Sequence, residues 1–402
     1  MDRYPFSGLK VLDVATVIAG PAAAVMLADF GADVIKVEKP VSGDIMRQVG
    51  RTTTMPGADS DYMWNLEGRN KRGIVLDLKQ EEGMEVLRKL VAGCDVYITN
   101  MAFRSRESLG LTYEDLRPLN PRMIYASLSA YGEKGPEREG LGYDMVAYWA
   151  RSGLMDLMHQ HGEQPTEGLP GMGDHPTGIA LYASIVTALL HRERTGVGGM
   201  VHTSLLANGL WSVSAIPQGI MSGADIGEYR EKRRAPRALG RVYQCADGRW
   251  LQFNMVRTEE LLFLMFDAMD ASHMLFDERF ATDQGRTENR EAFIDLIVGI
   301  IEQRDSDEWL ARFDAAQVPA RRVGIVEEHA DDPQLWDNGM IVPAEDDGFE
   351  VPSVVRPPIN IADVPKVEPK HPPKLGEHSE EILRELGYDA TKINAMRERG
   401  VI

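Results

Sequence analysis

An aspartate sits inside a glycine-rich turn, Gly171-Met172-Gly173-Asp174-His175-Pro176-Thr177-Gly178, directly before an apolar-periodic stretch. Glycines let a bulky ligand approach the backbone with no side chain in the way, and a carboxylate presented there can act as a nucleophile. The same position suits a helix N-cap, a role Asp commonly takes ahead of such a stretch. On spacing alone the cap is the better-supported reading. His175 beside it suggests a general base, although a single His at a helix start is more often structural. His159-Gln160-His161 has no Cys or carboxylate companions at ligand spacing, so no metal site is expected. Neither a G-x-S-x-G elbow nor a Walker loop is present, which removes the commonest hydrolase and nucleotide-hydrolysing chemistries. Trp149, Met155, Met158, Met172, Met200 and Trp211 fall in the sequence around Asp174. Most such residues build a core, but Met-rich, aromatic walls also suit an apolar acyl group.

A second constellation lies near the N-terminus. Val11-Leu12-Asp13-Val14 reads as a strand and runs into Ala15-Thr16-Val17-Ile18-Ala19-Gly20-Pro21. A helix through Ala22–Leu27 follows, Gly31 ends it, and Val34–Glu38 reads as the next strand. Pro21 suits a first helical position and Gly31 a left-handed exit. Such a strand–helix–strand unit presents helix amides to a ligand at the first strand's carboxyl end. The G-x-G-x-x-G fingerprint is absent, which argues against NAD and for a nucleotide held another way. Lys36, Lys39, Lys71, Arg72, Lys79, Arg104 and Arg106 lie close by in sequence, and Arg230, Lys232, Arg233, Arg234, Arg237 and Arg241 form a later cluster. Most charge runs are solvated surface, yet an acidic protein that binds a phosphorylated ligand needs a local positive field. The first cluster is the better candidate for ligand contact.

The elements that must hold these residues alternate. After the first unit, Ile74–Leu78, Asp95–Thr99 and Met123–Leu128 read as strands, and Glu81–Ala92 as an amphipathic helix. Gly178–Arg194 is a long helix, with Ile179, Tyr182, Ala183, Val186, Leu189 and Leu190 at helical spacing. This predicts a mostly parallel sheet covered on both faces over residues 1–205. A second unit contains the turn Ala246-Asp247-Gly248, the strand Arg249–Phe253 and apolar-striped helices over 258–316. Beyond 320 the chain is proline-rich and extended, ending in a helix at Ser379–Leu386. At 402 residues, two domains are expected. Cys94 and Cys245 are the only cysteines, so a reducing, cytoplasmic setting is expected without disulfides. Met1–Phe6 lacks the basic-then-apolar pattern of a signal peptide, and no apolar run spans a bilayer. A net charge of −18 speaks against nucleic acid as a partner.

Several segments together resemble the class III CoA-transferases, the family of formyl-CoA transferase, carnitine CoA-transferase and the α-methylacyl-CoA racemases. They are Val11–Asp13 through Ala19-Gly20-Pro21, Gly31–Glu38, Asn70–Lys79, Asp95–Asn100, Asn120-Pro121-Arg122, Gly173-Asp174, Leu375–His378 and Glu385-Leu386-Gly387. They run in order along essentially the whole chain. The resemblance implies an α/β fold, with a doubly wound, Rossmann-like large domain (1–205 with 335–402). It also implies a smaller α+β domain (228–320), linkers at 206–227 and 321–334, and a homodimer of interlocked rings. It implies that Asp174 is the nucleophile, reversing the preference for a cap. The implied CoA site comprises Val17, Ile18, Ala19, Lys39, Leu76, Lys79, Asn100 and Met101. A basic residue usual in the family falls on Ser108, which leaves Arg104 or Arg106 to supply that contact. Tyr143, Trp149 and Met172 are expected in the substrate pocket. Coenzyme A is the implied cosubstrate, with no metal and no membrane or nucleic-acid partner.

The implied reaction moves CoA from an acyl-CoA donor to a free carboxylic acid, of hydrophobic or 2-hydroxy type, through Asp174. The racemase branch places a proton-carrying His where this chain has Tyr143, and a phenol with a pKa near 10 carries protons poorly at neutral pH. The alternatives are a racemase or epimerase of the same fold, and a catalytically silent acyl-CoA-binding protein. The mobile glycine run over the formyl-CoA transferase site has no counterpart here, where Arg233–Arg241 stands instead.

Overall fold

Strand alternation along the first half of the chain sorts side chains onto two buried faces of one sheet. The computed structural model describes residues 3–48, 55–159, 163–234, 237–254 and 256–402; the side chains of Lys232 and Arg234, and Gln160 and His161, lie outside this description. In chain order the larger unit contains β1 (Lys10–Asp13), α1 (Ala19–Asp29), β2 (Asp33–Glu38), α2 (Tyr62–Gly68), β3 (Arg72–Val75), α3 (Glu81–Gly93) and β4 (Val96–Thr99). Then come α4 (Phe103–Leu109), α5 (Tyr113–Leu116), β5 (Ile124–Ser129), α6 (Leu154–Met158), α7 (Asp174–Thr195), β6 (Gly199–Ser204) and α8 (Leu205–Ser212). All six strands are parallel, in the order β3-β2-β1-β4-β5-β6. This is the doubly wound order, whose crevice opens at the carboxyl ends of β1 and β4.

Leu12, Tyr97 and Tyr125 point to one face, where Val86, Leu87, Leu90, Ile382, Leu383 and Met396 cover them. Val11, Ile98 and Ala126 point to the other, against Ala23, Leu27, Leu181 and Ile185 of α1 and α7. The period-2 alternation therefore delivers both cores from the same strands. Every residue of α1 is buried. Its alanines let α7 approach so closely that a Cβ on Gly178 would lie 2.8 Å from the Ala19 carbonyl oxygen.

Three expectations shift. Helix α1 begins at Ala19, so Pro21 is its third residue rather than its first. Strand β3 ends at Val75, leaving Leu76–Leu78 outside the ladder. β6, an edge strand with only its last residue buried, carries little apolar signal and was not anticipated. Gly31 does adopt φ +96, as the left-handed exit requires.

The chain divides into a unit of Met1–Met221 with Pro333–Ile402 and another of Ser222–Asp332. Residues 206–227, expected as linker, instead carry most of α8, a helix at Ala215–Met221 and the start of another at Ile226–Arg234. The smaller unit has a three-stranded antiparallel sheet in the order β7 (Val242–Gln244), β8 (Trp250–Phe253), β9 (Ala320–Arg322). Its core gathers Leu251, Phe253, Phe266, Ile297, Trp309 and Phe313. Among the described residues, no helix is long and apolar enough to cross a membrane.

Candidate active site

The loop leaving β1 is held at three successive amides. Ala15 N–H donates to Asp13 Oδ1 (3.2 Å), Thr16 N–H to Asn100 Oδ1 (2.9 Å), and Val17 N–H to Asp44 Oδ1 (3.3 Å). Asn100 also donates through Nδ2 to the Thr16 carbonyl (2.7 Å), tying the end of β4 to the end of β1 across the crevice. Val17 adopts φ +69, a strained conformation for a β-branched residue that persists only when its surroundings enforce it.

Those surroundings are a buried charge network. Lys36 pairs with Asp44 (2.9 Å) and Asp13 (3.8 Å) and donates to the Ala15 carbonyl; Lys71 pairs with Asp13 (2.8 Å) and donates to the Pro21 carbonyl (2.9 Å). Burial alone would lower the Lys36 ammonium, but Asp13 and Asp44 more than offset it and hold it above its ordinary value. Lys71, by contrast, is pulled down by burial, with Lys36 as a like-charged neighbour. Arg72 is engaged by Asp33, Glu381 and Glu385. Three of the seven cations of the first basic cluster, Lys36, Lys71 and Arg72, are thus engaged within the fold rather than facing a ligand. In the later cluster, Arg233 stacks on Tyr229 and Arg241 on Tyr243.

Asp174 is the first residue of α7, and the N-cap is Gly173, with no side-chain cap from the cap residue itself. The cap reading is therefore corrected. Asp144 does that work from afar, its Oδ2 accepting from Gly173 N–H at 3.0 Å. Gly173 has no room for a side chain, because a Cβ there would run into Tyr148. Asp174 is left with a free carboxylate at the positive end of a 22-residue helix dipole. Burial, then the charges of Asp144 and Glu67, push its carboxyl up to about 7, with His175 pulling the other way. Burial also raises Asp144, against the Gly173 hydrogen bond. His175 Nε2 lies 2.8 Å from Oε1 of the buried Glu67, and that hydrogen bond raises the imidazole above its ordinary value despite burial.

Two cavities meet at Asp174. The first, about 290 Å³, opens at the crevice and is lined by Thr16, Val17, Ile18, Ala19, Asn100, Met101, Arg106, Arg138 and Tyr143, among others. The second, about 460 Å³, is lined by Met46, Met55, Met63, Met145 and Met172, with Leu169, Asp144 and His175. Val17, Ile18, Tyr143 and Asp174 border both.

The structure brings together Val17, Ile18, Ala19, Asn100, Met101, Arg106, Tyr143 and Asp174 in the first cavity, and Met172 in the second. Arg106 is buried and already committed, donating to the Met101 carbonyl (2.6 Å) and Ser127 Oγ (2.7 Å). Arg104 is highly exposed, 3.8 Å from Glu139. Lys39 and Lys79 are exposed, Leu76 is packed in the sheet core, and none of the three lines either cavity. Trp149 is likewise core, packed with Tyr148 and Leu205. Glu67, Asp144 and Arg138 were missed. Glu67 and Asp144 act through contacts distant in sequence, whereas Arg138 carried a weak signal in the loop after β5. Among the described residues no cluster of His, Cys, Asp or Glu could hold a metal ion.

The doubly wound sheet thus places the Asp174 carboxylate on the wall shared by the crevice cavity and a methionine-lined cavity. The chain matches the model of CoA-transferase family III over residues 6–379 and belongs to that family; it is a class III CoA-transferase. It is 31% identical to the (R)-2-hydroxy-4-methylpentanoate CoA-transferase of Clostridioides difficile over 98% of both chains. It is 29% identical to the cinnamoyl-CoA:phenyllactate CoA-transferase of Clostridium sporogenes, covering 98% of this chain and 96% of that one. A human succinyl-CoA:glutarate CoA-transferase is 30% identical over 99% and 90%. The fold matches a CaiB/BaiF family protein from Brucella suis with a TM-score of 0.82 and 30% identity, covering 96% of this chain and 100% of that chain.

Proposed function

We propose that this enzyme transfers CoA from an acyl-CoA donor to a free hydrophobic or 2-hydroxy carboxylic acid through covalent intermediates on Asp174. The observation that carries this reading is the position of Asp174 on the wall common to the two cavities, uncapped and at a helix N-terminus. The carboxylate attacks the donor thioester, forming a mixed anhydride and releasing CoA thiolate. The thiolate attacks the aspartyl carbonyl, the donor acid leaves, and an aspartyl-CoA thioester remains. The acceptor carboxylate then attacks that thioester, the thiolate departs again, and its attack on the acyl carbonyl yields the new acyl-CoA and free Asp174. Splitting the exchange keeps thioester energy from hydrolysis provided water is excluded, a role suited to the Met-rich cavity.

CoA would lie along Val17–Ala19, Asn100 and Met101, with Lys39, Lys79 and Arg104 toward its phosphates and the Leu76 backbone nearby. Tyr143 and Met172 border the acyl group, with Trp149 supporting that wall from the core. Similarity to relatives acting on 2-hydroxy-4-methylpentanoate and phenyllactate supports an acid with an apolar side chain, as does the methionine lining. A cytoplasmic homodimer of interlocked rings, with the larger unit as the CoA-binding domain, completes the reading; both cysteines are free and buried. The test is a panel of acids offered acetyl-CoA, succinyl-CoA and aryl-CoA donors in heavy water. Net CoA transfer without exchange of the α-hydrogen is expected. Exchange at a rate comparable with transfer would overturn it in favour of a racemase.

A further inference from the structure

The second cavity poses an electrostatic problem. An acceptor acid enters as an anion, yet the cavity wall already carries Asp174 and Asp144, and Glu67 lies behind it. Among the described residues lining it, His175 is the one side chain that can carry positive charge. Its side chain is 44% exposed, whereas that of Glu67 is 3% exposed, so the pair has one dry end and one end open to the cavity.

We infer that His175, hydrogen-bonded to the buried Glu67 and open to the cavity, is the counter-charge that admits and orients the acceptor carboxylate beside Asp174. This rests on the covalent role proposed for Asp174. Formation of the aspartyl-CoA thioester removes the negative charge of Asp174. His175 and Glu67 then cancel, which leaves Asp144 as the remaining carboxylate on the cavity wall. The acceptor anion meets a site no longer strongly negative, at the step in the cycle that requires it. Before that step, with Asp174 ionised, the site favours the uncharged thioester of the donor. The order of binding follows from the charge state of one residue. Glu67 is a positioning residue; on its far side the buried Lys71 feels its charge. The groups facing His175 are Glu67 from α2, Asp174 and the Gly171 backbone from its own turn, and Asp144 from the segment before Met145, whose carboxylate feels the imidazole's charge.

The test separates the two half-reactions. His175→Gln should raise the KM for the acceptor acid at least tenfold and leave the KM for the acyl-CoA donor within about threefold. Glu67→Gln keeps the hydrogen bond but removes the charge. It should move the pH at which acceptor KM begins to rise downward by about one unit, the sign expected when an imidazolium loses its stabilising carboxylate. Equal rises in both KM values, unchanged acceptor KM in His175→Gln, or an unshifted profile in Glu67→Gln would overturn the inference. Donor-dependent hydroxamate formation at Asp174 in the wild type is measured alongside. If hydroxamate forms there but acceptor KM does not respond to His175→Gln, only this inference fails. If none forms, the covalent reading fails first.

Discussion

In the proposed mechanism Asp174 must be ionised to attack, yet burial and two neighbouring carboxylates oppose its charge. That conflict has measurable consequences. Its pKa is displaced upward from 3.8 to about 7, so the folded protein holds the proton more tightly than the unfolded chain. Stability therefore falls as pH rises through that window, and activity rises as the carboxylate ionises. Donor-side kcat/KM should climb with a midpoint near pH 7. Asp174→Asn should abolish transfer by orders of magnitude while raising stability at pH 8 by roughly 1–3 kcal/mol, with little change at pH 4. Thermal unfolding at the two pH values checks this; a variant less stable than wild type at pH 8 would contradict the electrostatic account. Asp174 was legible as a candidate nucleophile from its glycine-rich setting and the resemblance. Its freedom from capping was not, because the cap is supplied by Asp144 from 29 residues before Gly173. Glu67 was illegible for the same reason, meeting His175 across 108 residues.

At the scale of elements, the site depends on one close approach of helices and on one buried ion pair. Helix α7 can bring Asp174 to the β1 loop because Gly178 lets it press on the Ala19 carbonyl. Gly178→Ala should cost on the order of 1–3 kcal/mol by overpacking and should weaken CoA binding as α1 shifts; calorimetric titration with CoA reads the second effect. The β1 loop depends in turn on Asp44. Asp44→Asn takes a charge from the buried pair with Lys36 and weakens the hold on the Val17 amide, a loss typically worth about 3–5 kcal/mol when one member of a buried pair is removed. Unfolding in denaturant measures it, and a loss below about 1 kcal/mol would argue that the network does not hold the strained loop. The strands and long helices were legible because their periodicity is strong. The basic cluster was only partly legible because sequence displays charges without their partners: Lys36 and Lys71 pair inside the fold, and only the topology of β1, β2 and β3 brings Asp13 to both.

Across the whole molecule, the net charge of −18 sets the stage for binding a polyphosphorylated cosubstrate. Lys36, Lys71 and Arg72 are occupied internally, whereas Lys39 and Lys79, the phosphate contacts proposed above, are exposed. Reversing both to Glu should weaken CoA binding, and the loss should shrink as salt rises, because exposed charges are screened over about 10 Å at 0.1 M. A salt-independent loss would place the defect in packing instead. The two-unit organisation and the return of the C-terminal segment to the first unit were legible in outline. Residues 206–227, expected as a linker, carry helical segments over 206–212, 215–221 and 226–227.

The central claim is that Asp174 carries the acyl group and then CoA. Wild-type enzyme incubated with an acyl-CoA and hydroxylamine, digested and weighed by peptide mass, tests it most directly. A hydroxamate on the peptide containing Asp174, dependent on the acyl-CoA and missing in Asp174→Asn, is the predicted result. Hydroxamate at a different carboxylate, or an Asn variant that still transfers CoA at the wild-type rate, would contradict it.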